Sequence, residues 1–289
     1  MLGLVLELKY RAPIDPGGGF HEKPGSTMTA IVVMIESHDN CSLVAENYAP
    51  KKDLLAARIV LVTGAAADLG SAAARAFAFH GATVVLLDHD VPALEALYDD
   101  ILQIGAPEPA IYPISLVGAT PVHYEELADR VDSEFGRLDG LLHAGAELGI
   151  PSPIQYYDVM QWAKVMQVNL HAPFLLTRAC FPLLKRAEDA SIVFTSADVG
   201  RKGRAYWGAY GASKFAIEGL IQILADELEA EPHLRVNGVD PGVVRTWLRS
   251  VAYPAEDSMT LPRPEEKMSA YLFLMGRDSR SLNGVVVTS

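Results

Sequence analysis

Short runs of apolar residues, many of them β-branched, alternate with amphipathic helical stretches from residue 59 to residue 287. Runs that are apolar throughout predict strands buried on both faces of a parallel sheet, with the stretches between them as covering helices. Because such crossovers are right-handed, the pattern predicts an α/β fold, a Rossmann-type doubly wound parallel sheet in a single domain. The predicted strands are residues 59–62, 83–87, 110–114, 138–143, 191–195, 234–239 and 285–287, and the predicted helices are residues 68–79, 91–103, 121–135, 157–186, 207–229 and 265–275.

Residues 1–47 lack this alternation and are interrupted by glycine and proline, most densely at residues 16–19. We therefore predict a loosely structured leader over residues 1–47 and a dinucleotide-binding and catalytic domain over residues 48–289. Within the leader, the apolar patch at residues 30–35 is compatible with a strand or with a short helix. Met28 and Met34 are alternative start positions, so the leader is either genuine or in part an extension of the gene model.

The net charge of −12 argues against nucleic acid or an anionic membrane as the main partner. No run approaches the ~18 apolar residues that span a bilayer, and Glu7 soon interrupts the apolar start. Cys41 and Cys180 form no spaced framework, which favours a reducing, cytoplasmic location. The histidines lack metal-ligand spacing, and no Gly-x-Ser-x-Gly elbow is present, so we expect neither a metal site nor a hydrolase.

The first predicted strand runs directly into a glycine-bearing turn that opens a helix, Thr63-Gly64-Ala-Ala-Ala-Asp68-Leu69-Gly70. Backbone N–H groups of such a turn can meet the pyrophosphate of a dinucleotide. The next strand ends in Asp88, which can accept a hydrogen bond from a ribose 2′-OH and would repel a 2′-phosphate. His89 follows instead of an arginine, so this position favours NAD, with NADP possible. The alternative is an ordinary tight connection with Asp68 as the helix N-cap.

Tyr210 and Lys214 lie four residues apart in a predicted helix, so both side chains project from one face. A nearby ammonium favours the phenolate and lowers the pKa of a tyrosine. The pair can then exchange a proton with a carbonyl or alcohol oxygen while a hydride moves to or from a nicotinamide. Without further context, Tyr-x-x-x-Lys is equally an ordinary helix surface with a snorkelling aromatic and lysine.

The order of these motifs over residues 59–246 resembles the short-chain dehydrogenase/reductase family. Residues 48–55, 194–204 and 270–280 resemble its YciK-like branch of bacterial oxidoreductases more closely still. The resemblance implies Tyr210 as acid–base, Lys214 as its partner and holder of the nicotinamide ribose, and Asn169 as part of a proton relay. It implies a homodimer or homotetramer, and a cofactor site formed by Gly64, Leu69, Gly70, Asp88, Ser115, Gly145, Tyr210, Lys214, Pro241, Gly242 and Thr246.

Four positions depart from the pattern of this family. Asp68 replaces the middle glycine of the first turn, where a carboxylate adds bulk and like charge beside a pyrophosphate unless it turns outward. The family's Asn-Ala-Gly is replaced by His143-Ala144-Gly145-Ala146, and Ser115 stands where an aspartate meets the adenine. Ala197 occupies the position of the catalytic serine. Its neighbour Ser196 can substitute only if the strand end twists or bulges.

Two functional hypotheses follow. The first is an NAD(P)(H)-dependent oxidoreductase that interconverts a secondary alcohol and a carbonyl compound, with Tyr210, Lys214, Asn169 and Ser196 as catalytic residues. The second is a catalytically impaired relative that serves as a nucleotide-binding or partner-binding module, which the replacements Asp68, Ala144 and Ala197 motivate. In either case, we expect residues 247–267 to close the substrate pocket.

Overall fold

The computed structural model describes residues 31–37, 40–46 and 48–289. The strands are β1 (Ile31–Ser37), β2 (Asn40–Glu46), β3 (Ile59–Thr63), β4 (Thr83–Asp88), β5 (Ala110–Pro113), β6 (Gly140–His143), β7 (Ala190–Thr195), β8 (Leu234–Asp240) and β9 (Val286–Thr288). The α-helices are α1 (Asp68–Phe79), α2 (Val91–Gln103), α3 (Pro121–Phe135), α4 (Val159–Met166), α5 (Ala172–Lys185), α6 (Gly208–Glu227), α7 (Trp247–Ala252) and α8 (Met268–Met275).

The described strands form one sheet in the order β1-β2-β9-β8-β7-β6-β3-β4-β5. The seven strands β3 to β9 are all parallel, with helices between them, so the predicted doubly wound fold is confirmed. The antiparallel hairpin β1–β2 adds to the edge by parallel pairing of β2 with β9. Of the two alternatives for residues 30–35, the described part is strand. Residues 1–30 lie outside the described residues, and the boundary at residue 47 stays a prediction.

The stretch predicted as helical over residues 157–186 contains two α-helices joined by a π-helical turn. Helix α4 passes into a π-helical turn, Gln167–His171, before α5 begins. Pro173 lies in the first turn of α5 and has no N–H to donate to the carbonyl four residues earlier, which is that of Asn169. We attribute the change of helical bonding at Asn169 to this missing donor, since π-turns relieve such interruptions.

The core lies in two layers, one on each face of the sheet. Along β3, Val60 and Val62 pack with the cluster that includes α1, α2 and α8. The intervening Ile59 and Leu61 pack with the cluster of α3, α5 and α6. Both faces of each central strand are therefore buried, which explains why these strands are apolar throughout rather than alternating.

A buried ion cluster fastens the amino end of the sheet. Asp189 precedes β7 and is 2% exposed, and its carboxylate pairs with Arg58, Arg235 and Arg280. Arg58 also donates to the carbonyl of Asp139 at the start of β6. This cluster joins the loops that enter three neighbouring strands, at the end of the sheet away from the site described below.

The direction of winding reverses between β3 and β6, which are neighbours in the sheet although three helices separate them in the chain. The connections that leave their carboxyl ends diverge to opposite sides. This divergence opens a crevice, which is the usual ligand position in such sheets. Thr63, Asp88, His143, Thr195 and Asp240 are the last residues of β3, β4, β6, β7 and β8, at that edge.

Candidate active site

The turn after β3 requires glycine at two of its positions. Gly64 has a φ of +67°, and a Cβ there would lie 2.6 Å from the backbone of Gly145. A Cβ on Gly70 would lie 2.0 Å from the carbonyl oxygen of Gly64. Thr63 accepts hydrogen bonds through Oγ1 from the N–H groups of Ala144 and Gly145. The predicted Gly64, Gly70 and Gly145 therefore act through close backbone approach, which joins the ends of β3 and β6.

The N-cap of α1 is Ala67, not Asp68 as in the alternative interpretation, and it offers no side-chain cap. Asp68 is the first residue of the helix, with Leu69 next to it. The first N–H groups of a helix need partners, and alanine cannot supply one. An uncapped helix end that faces a cleft fits the phosphates of a dinucleotide, so the local donor set is compatible with the cofactor predicted from the sequence.

A cleft of about 850 Å³ runs from this turn along the carboxyl edge of the sheet. Its volume lies in the range of cofactor and substrate sites. Seven of the predicted site residues line it, namely Leu69, Ser196, Tyr210, Lys214, Pro241, Gly242 and Thr246. The cleft thus brings the proposed phosphate-binding turn and the Tyr210–Lys214 pair to one continuous surface.

Asp68 also lines the cleft, and its carboxylate turns outward, across the mouth of the cleft. Its Oδ2 accepts a hydrogen bond of 2.7 Å from the backbone N–H of Trp247, the first residue of α7. One oxygen of this carboxylate is therefore engaged by a backbone N–H group.

Asp88 is 9% exposed and is not among the residues that line the cleft. Its Oδ2 accepts from the N–H of Ala66, and its Oδ1 accepts from the N–H of His89. The imidazole of His89 lies 2.8 Å from the same carboxylate. Asp88 therefore fastens the phosphate-binding turn to β4, while His89 and Asp90 present the side chains that line the cleft here.

Ser115 lies away from the cleft lining. It is exposed, and its carbonyl accepts from the N–H groups of Gly118 and Ala119 in a turn. His143 is buried, contacts Thr177 Oγ1 at 2.9 Å and stacks on Phe194. Burial lowers the pKa of His143 to about 3, so its ring is neutral at ordinary pH. This histidine is a packing residue at the end of β6.

Tyr210 and Lys214 begin helix α6 and are 7% and 3% exposed. The Nζ atom of Lys214 lies 5.4 Å from the centroid of the Tyr210 ring and donates to the carbonyl of Thr195 at 2.6 Å. Burial lowers the pKa of Lys214 to about 8, against the opposing effects of Asp240 and Glu218. The pair was predicted from its spacing, and the structure places both side chains on one wall of the cleft.

The pKa of Tyr210 lies above its usual value, first because the ring is buried and then because Asp240 and Asp198 are near. The sequence led us to expect that Lys214 lowers this pKa. This expectation is wrong, because burial and the two carboxylates raise the pKa. The phenol is therefore protonated at neutral pH.

Asn169 is 3% exposed and lies behind the cleft wall, within the π-turn. Its Oδ1 accepts from the N–H of Glu147, and its Nδ2 donates to the carbonyl of the same residue and to Ser213 Oγ. Ser213 in turn donates to the carbonyl of Tyr210. Asn169 thus connects the loop after β6 to the first turn of α6.

Ser196 lines the cleft, but its hydroxyl donates to Glu218 Oε1 at 2.5 Å. The hydroxyl proton is thereby engaged by a buried carboxylate on α6. Ala197, at the position of the family's serine, carries no hydroxyl and precedes a 3₁₀ turn, Asp198–Gly200. The structure places no serine hydroxyl of this segment towards Tyr210.

The sequence analysis missed a buried charged network beside Lys214. Arg201 pairs with Glu218 and with Asp240, and Asp240 Oδ1 accepts from the N–H of Gly242. Two signals were available in the sequence. Glu218 lies four residues after Lys214 on the same helix face, and Asp240 ends a buried strand directly before the Pro241-Gly242 turn.

The segment expected to cover the pocket contains α7 and lies over the cleft. Leu248 and Ala252 pack with Val199 and Tyr210 in a small apolar cluster. Trp207 lies 5.6 Å from Tyr210 and 5.9 Å from Tyr253, measured between ring centroids. The reacting end of the cleft therefore has an aromatic wall.

Within residues 31–37, 40–46 and 48–289, no group of three or more His, Cys, Asp or Glu side chains is placed to hold a metal ion. No helix in the same ranges is long and apolar enough to cross a membrane.

A family model described as short chain dehydrogenase matches residues 58–257, more than half of the chain. The chain belongs to the short chain dehydrogenase family. The family predicted from the motifs is therefore confirmed. Its members are oxidoreductases with a Rossmann fold.

Bacterial members of this family match most of the chain. The oxidoreductase YciK of Escherichia coli strain K12 is 44% identical over 239 residues, 83% of this chain and 94% of YciK. A short chain dehydrogenase structure from Pseudomonas syringae has 52% identity and a TM-score of 0.82, covering 84% of this chain and 98% of that one. A structure from Shigella flexneri 2a complexed with NADP has 43% identity and a TM-score of 0.80, covering 82% and 99%. The predicted resemblance to YciK is confirmed.

Proposed function

We propose that the chain is an NADP(H)-dependent oxidoreductase that interconverts a secondary alcohol and a carbonyl compound. The observation that carries the proposal is the pairing of Tyr210 and Lys214 on one wall of a cleft that begins at an uncapped, glycine-bearing helix start. A bound nicotinamide cofactor supplies or takes up the hydride. The residues of the chain bind and orient the reactants and transfer the proton.

Tyr210 is the proposed acid–base. A tyrosine is protonated at neutral pH, and the raised pKa of Tyr210 keeps it so. It can donate that proton to a carbonyl oxygen in the reduction direction. The phenolate left behind is stabilised by the ammonium of Lys214, which the carbonyl of Thr195 holds beside the ring. In the oxidation direction, the same pair accepts the proton of the alcohol.

Asn169 is proposed as a positioning residue for this pair. All the hydrogen-bonding groups of its amide are engaged with Glu147 and Ser213, so its contacts support a fastening role. Through Ser213 it holds the carbonyl of Tyr210 in the first turn of α6. We also propose for Asn169 the water-positioning role that the family resemblance implies.

The proposal of NADP replaces the preference for NAD expected from Asp88. The relative from Shigella flexneri is complexed with NADP. In this chain, the Asp88 carboxylate is held by N–H groups and by His89, and it does not line the cleft. A carboxylate satisfied in this way is a weaker acceptor for a ribose hydroxyl and a weaker repellent for a 2′-phosphate.

The second candidate function is a nucleotide-binding relative without turnover. Ala197 and the Ser196–Glu218 bond favour it, because Ala197 has no hydroxyl and the hydroxyl of Ser196 is engaged by Glu218 instead of the reacting oxygen. Loss of one such donor typically costs ~10²–10³ in kcat. Slow turnover is compatible with the first proposal, and absent turnover favours the second.

Titration with NADPH and NADH, followed by cofactor fluorescence, separates binding from catalysis. A carbonyl panel is then tested with wild type, Tyr210→Phe and Ala197→Ser. We expect NADPH to bind more tightly than NADH, and wild-type turnover to disappear in Tyr210→Phe. Failure to bind either cofactor would refute the oxidoreductase proposal. Binding without turnover in wild type, with turnover restored in Ala197→Ser, would establish the second function instead.

A further inference from the structure

The bond between Asp68 and Trp247 joins two parts of the cleft that are 179 residues apart in sequence. Asp68 begins the helix of the phosphate-binding turn, and Trp247 begins α7. We call residues 245–261 the lid. Trp247 N–H is in the first turn of α7, so it has no acceptor within that helix. The carboxylate of Asp68 supplies one.

Several other polar groups at this end of the lid bond within the lid. Thr246 Oγ1 accepts from the N–H of Arg249, and Arg249 pairs with Glu256. Arg245 donates to the carbonyls of Met259 and Leu261. These bonds make the lid a locally coherent unit. The contact from Asp68 is of a different kind, because it ties that unit to the turn on the opposite side of the cleft.

A carboxylate at this place also has a cost for binding an anionic cofactor. Two unit charges ~4 Å apart repel by about 1 kcal/mol in water, and more at lower effective dielectric. The bond from Trp247 N–H compensates part of this charge. Asp68 therefore holds the lid in place but lowers the affinity for an anionic cofactor.

We propose that Asp68 is a positioning residue that fastens the lid over the substrate end of the cleft from the cofactor side. The proposal rests on the proposed function only where it concerns kinetics, since the fastening itself is a property of the chain alone. Removal of the acceptor loosens the lid and raises KM for the carbonyl substrate. Removal of the charge alone strengthens cofactor binding.

Two variants separate these effects, with a third as control. Asp68→Ala removes acceptor and charge, Asp68→Asn removes the charge and keeps an acceptor oxygen, and Asp100→Ala removes an exposed carboxylate that pairs with Arg75 on the outer side of α1. Limited trypsin digestion without cofactor measures the lid, through cleavage after Arg245 and Arg249. We expect Asp68→Ala to be cut about two- to tenfold faster, with Asp68→Asn and Asp100→Ala near wild type.

The kinetic arm then measures KM and cofactor affinity. We expect KM for the carbonyl substrate to rise about two- to tenfold in Asp68→Ala and to be rescued in Asp68→Asn, while both bind NADPH about fivefold more tightly. Equal cleavage of all four proteins would overturn the proposal, as would equal cleavage of Asp68→Ala and Asp68→Asn. Faster cleavage of Asp68→Ala in a protein that binds no NADPH would support the fastening role and contradict the proposed function alone.

Discussion

Replacement of Lys214 by methionine is expected to abolish turnover and to raise the stability of the fold. Lys214 is 3% exposed, and burial lowers its pKa from 10.5 to about 8. At 1.36 kcal/mol per pKa unit, this corresponds to about 3 kcal/mol of destabilisation below pH 8. Methionine has a similar length and no charge, but it leaves the carbonyl of Thr195 without its donor, a loss of about 1 kcal/mol or more. The expected net gain is about 1–2 kcal/mol at pH 7.

The dependence of this gain on pH identifies its cause. The native state releases the Lys214 proton near pH 8, and the unfolded state holds it until about 10.5. Between these values, the unfolded state binds more protons, so the stability of the wild type rises with pH. The methionine variant lacks this contribution. Its advantage over wild type is therefore full below pH 8 and shrinks between pH 8 and 10.5. Above that range it becomes a deficit of about 1 kcal/mol or more, because only the lost bond to the Thr195 carbonyl remains.

Urea unfolding at pH 7, 8, 9 and 10, followed by far-UV circular dichroism, measures both curves. Tyr210→Phe is the matched control, because it removes a functional group from the same cleft without removing a charge at neutral pH. We expect its difference from wild type to stay nearly constant from pH 7 to 9. A methionine variant less stable than wild type at pH 7, or one whose gain does not change between pH 8 and 10, would refute the argument that buried charge is the cause.

Three further outcomes are expected. Burial alone would raise the pKa of Asp189, but its arginine partners hold this pKa well below the usual range, so the charge stabilises the fold above pH ~4 and this contribution is lost only in strong acid. Asp189→Asn should lower the free energy of unfolding by about 3–5 kcal/mol, measured with urea at pH 7. A loss below 1 kcal/mol would contradict a tightly paired cluster. Gly70→Ala should either weaken NADPH binding by more than tenfold or prevent folding, because the new Cβ would lie 2.0 Å from the carbonyl oxygen of Gly64. Fluorescence titration measures the binding, and circular dichroism measures the folding. A folded variant with unchanged affinity for NADPH would refute this geometric argument. Phe174 on α5 and Phe215 on α6 are 48% and 45% exposed, so we expect a homodimer or homotetramer that forms through these helices. Light scattering measures the mass of the assembly. An unchanged mass in the double variant Phe174→Glu/Phe215→Glu would contradict this expectation.

The elements of the fold were predictable because each strand is buried on both faces. Helices α1, α2 and α3 begin and end where the pattern predicts, since glycine, proline or a polar cap marks their ends. The π-turn around Asn169 was not predictable from periodicity, because it continues the helical run and shifts the bonding pattern by only one residue. The sequence feature that marks this π-turn is Pro173. Proline has no N–H group, so it leaves the carbonyl four residues earlier, that of Asn169, without its helical donor.

The site was predictable where spacing along one element fixes geometry, as for Tyr210 and Lys214. It was not predictable where the decisive contact joins distant segments. Asp68 looked like an obstruction to the cofactor, and its contact with Trp247 depends on a lid 179 residues away. From the sequence, the Asp88 carboxylate was expected to accept a hydrogen bond from the ribose 2′-OH. In the structure, it accepts from backbone N–H groups, including that of Ala66 in the turn after β3. The predicted direction of the Tyr210 pKa shift was wrong for the same reason. The groups that bury the ring and the two nearby carboxylates belong to other elements of the fold.

The alanine at the N-cap of α1 has a consequence for how long the protein survives in a cell. An uncapped helix start typically costs a fold about 1 kcal/mol, and here it lies where an anion can satisfy it. A ligand that binds only the folded chain adds stability as RT ln(1 + [L]/Kd), about 2.7 kcal/mol at a hundredfold excess over Kd. If the proposed dinucleotide binds at this helix start, the chain is most resistant to unfolding and proteolysis when that nucleotide is abundant. Its abundance would then follow the nucleotide pool, even where its turnover is slow.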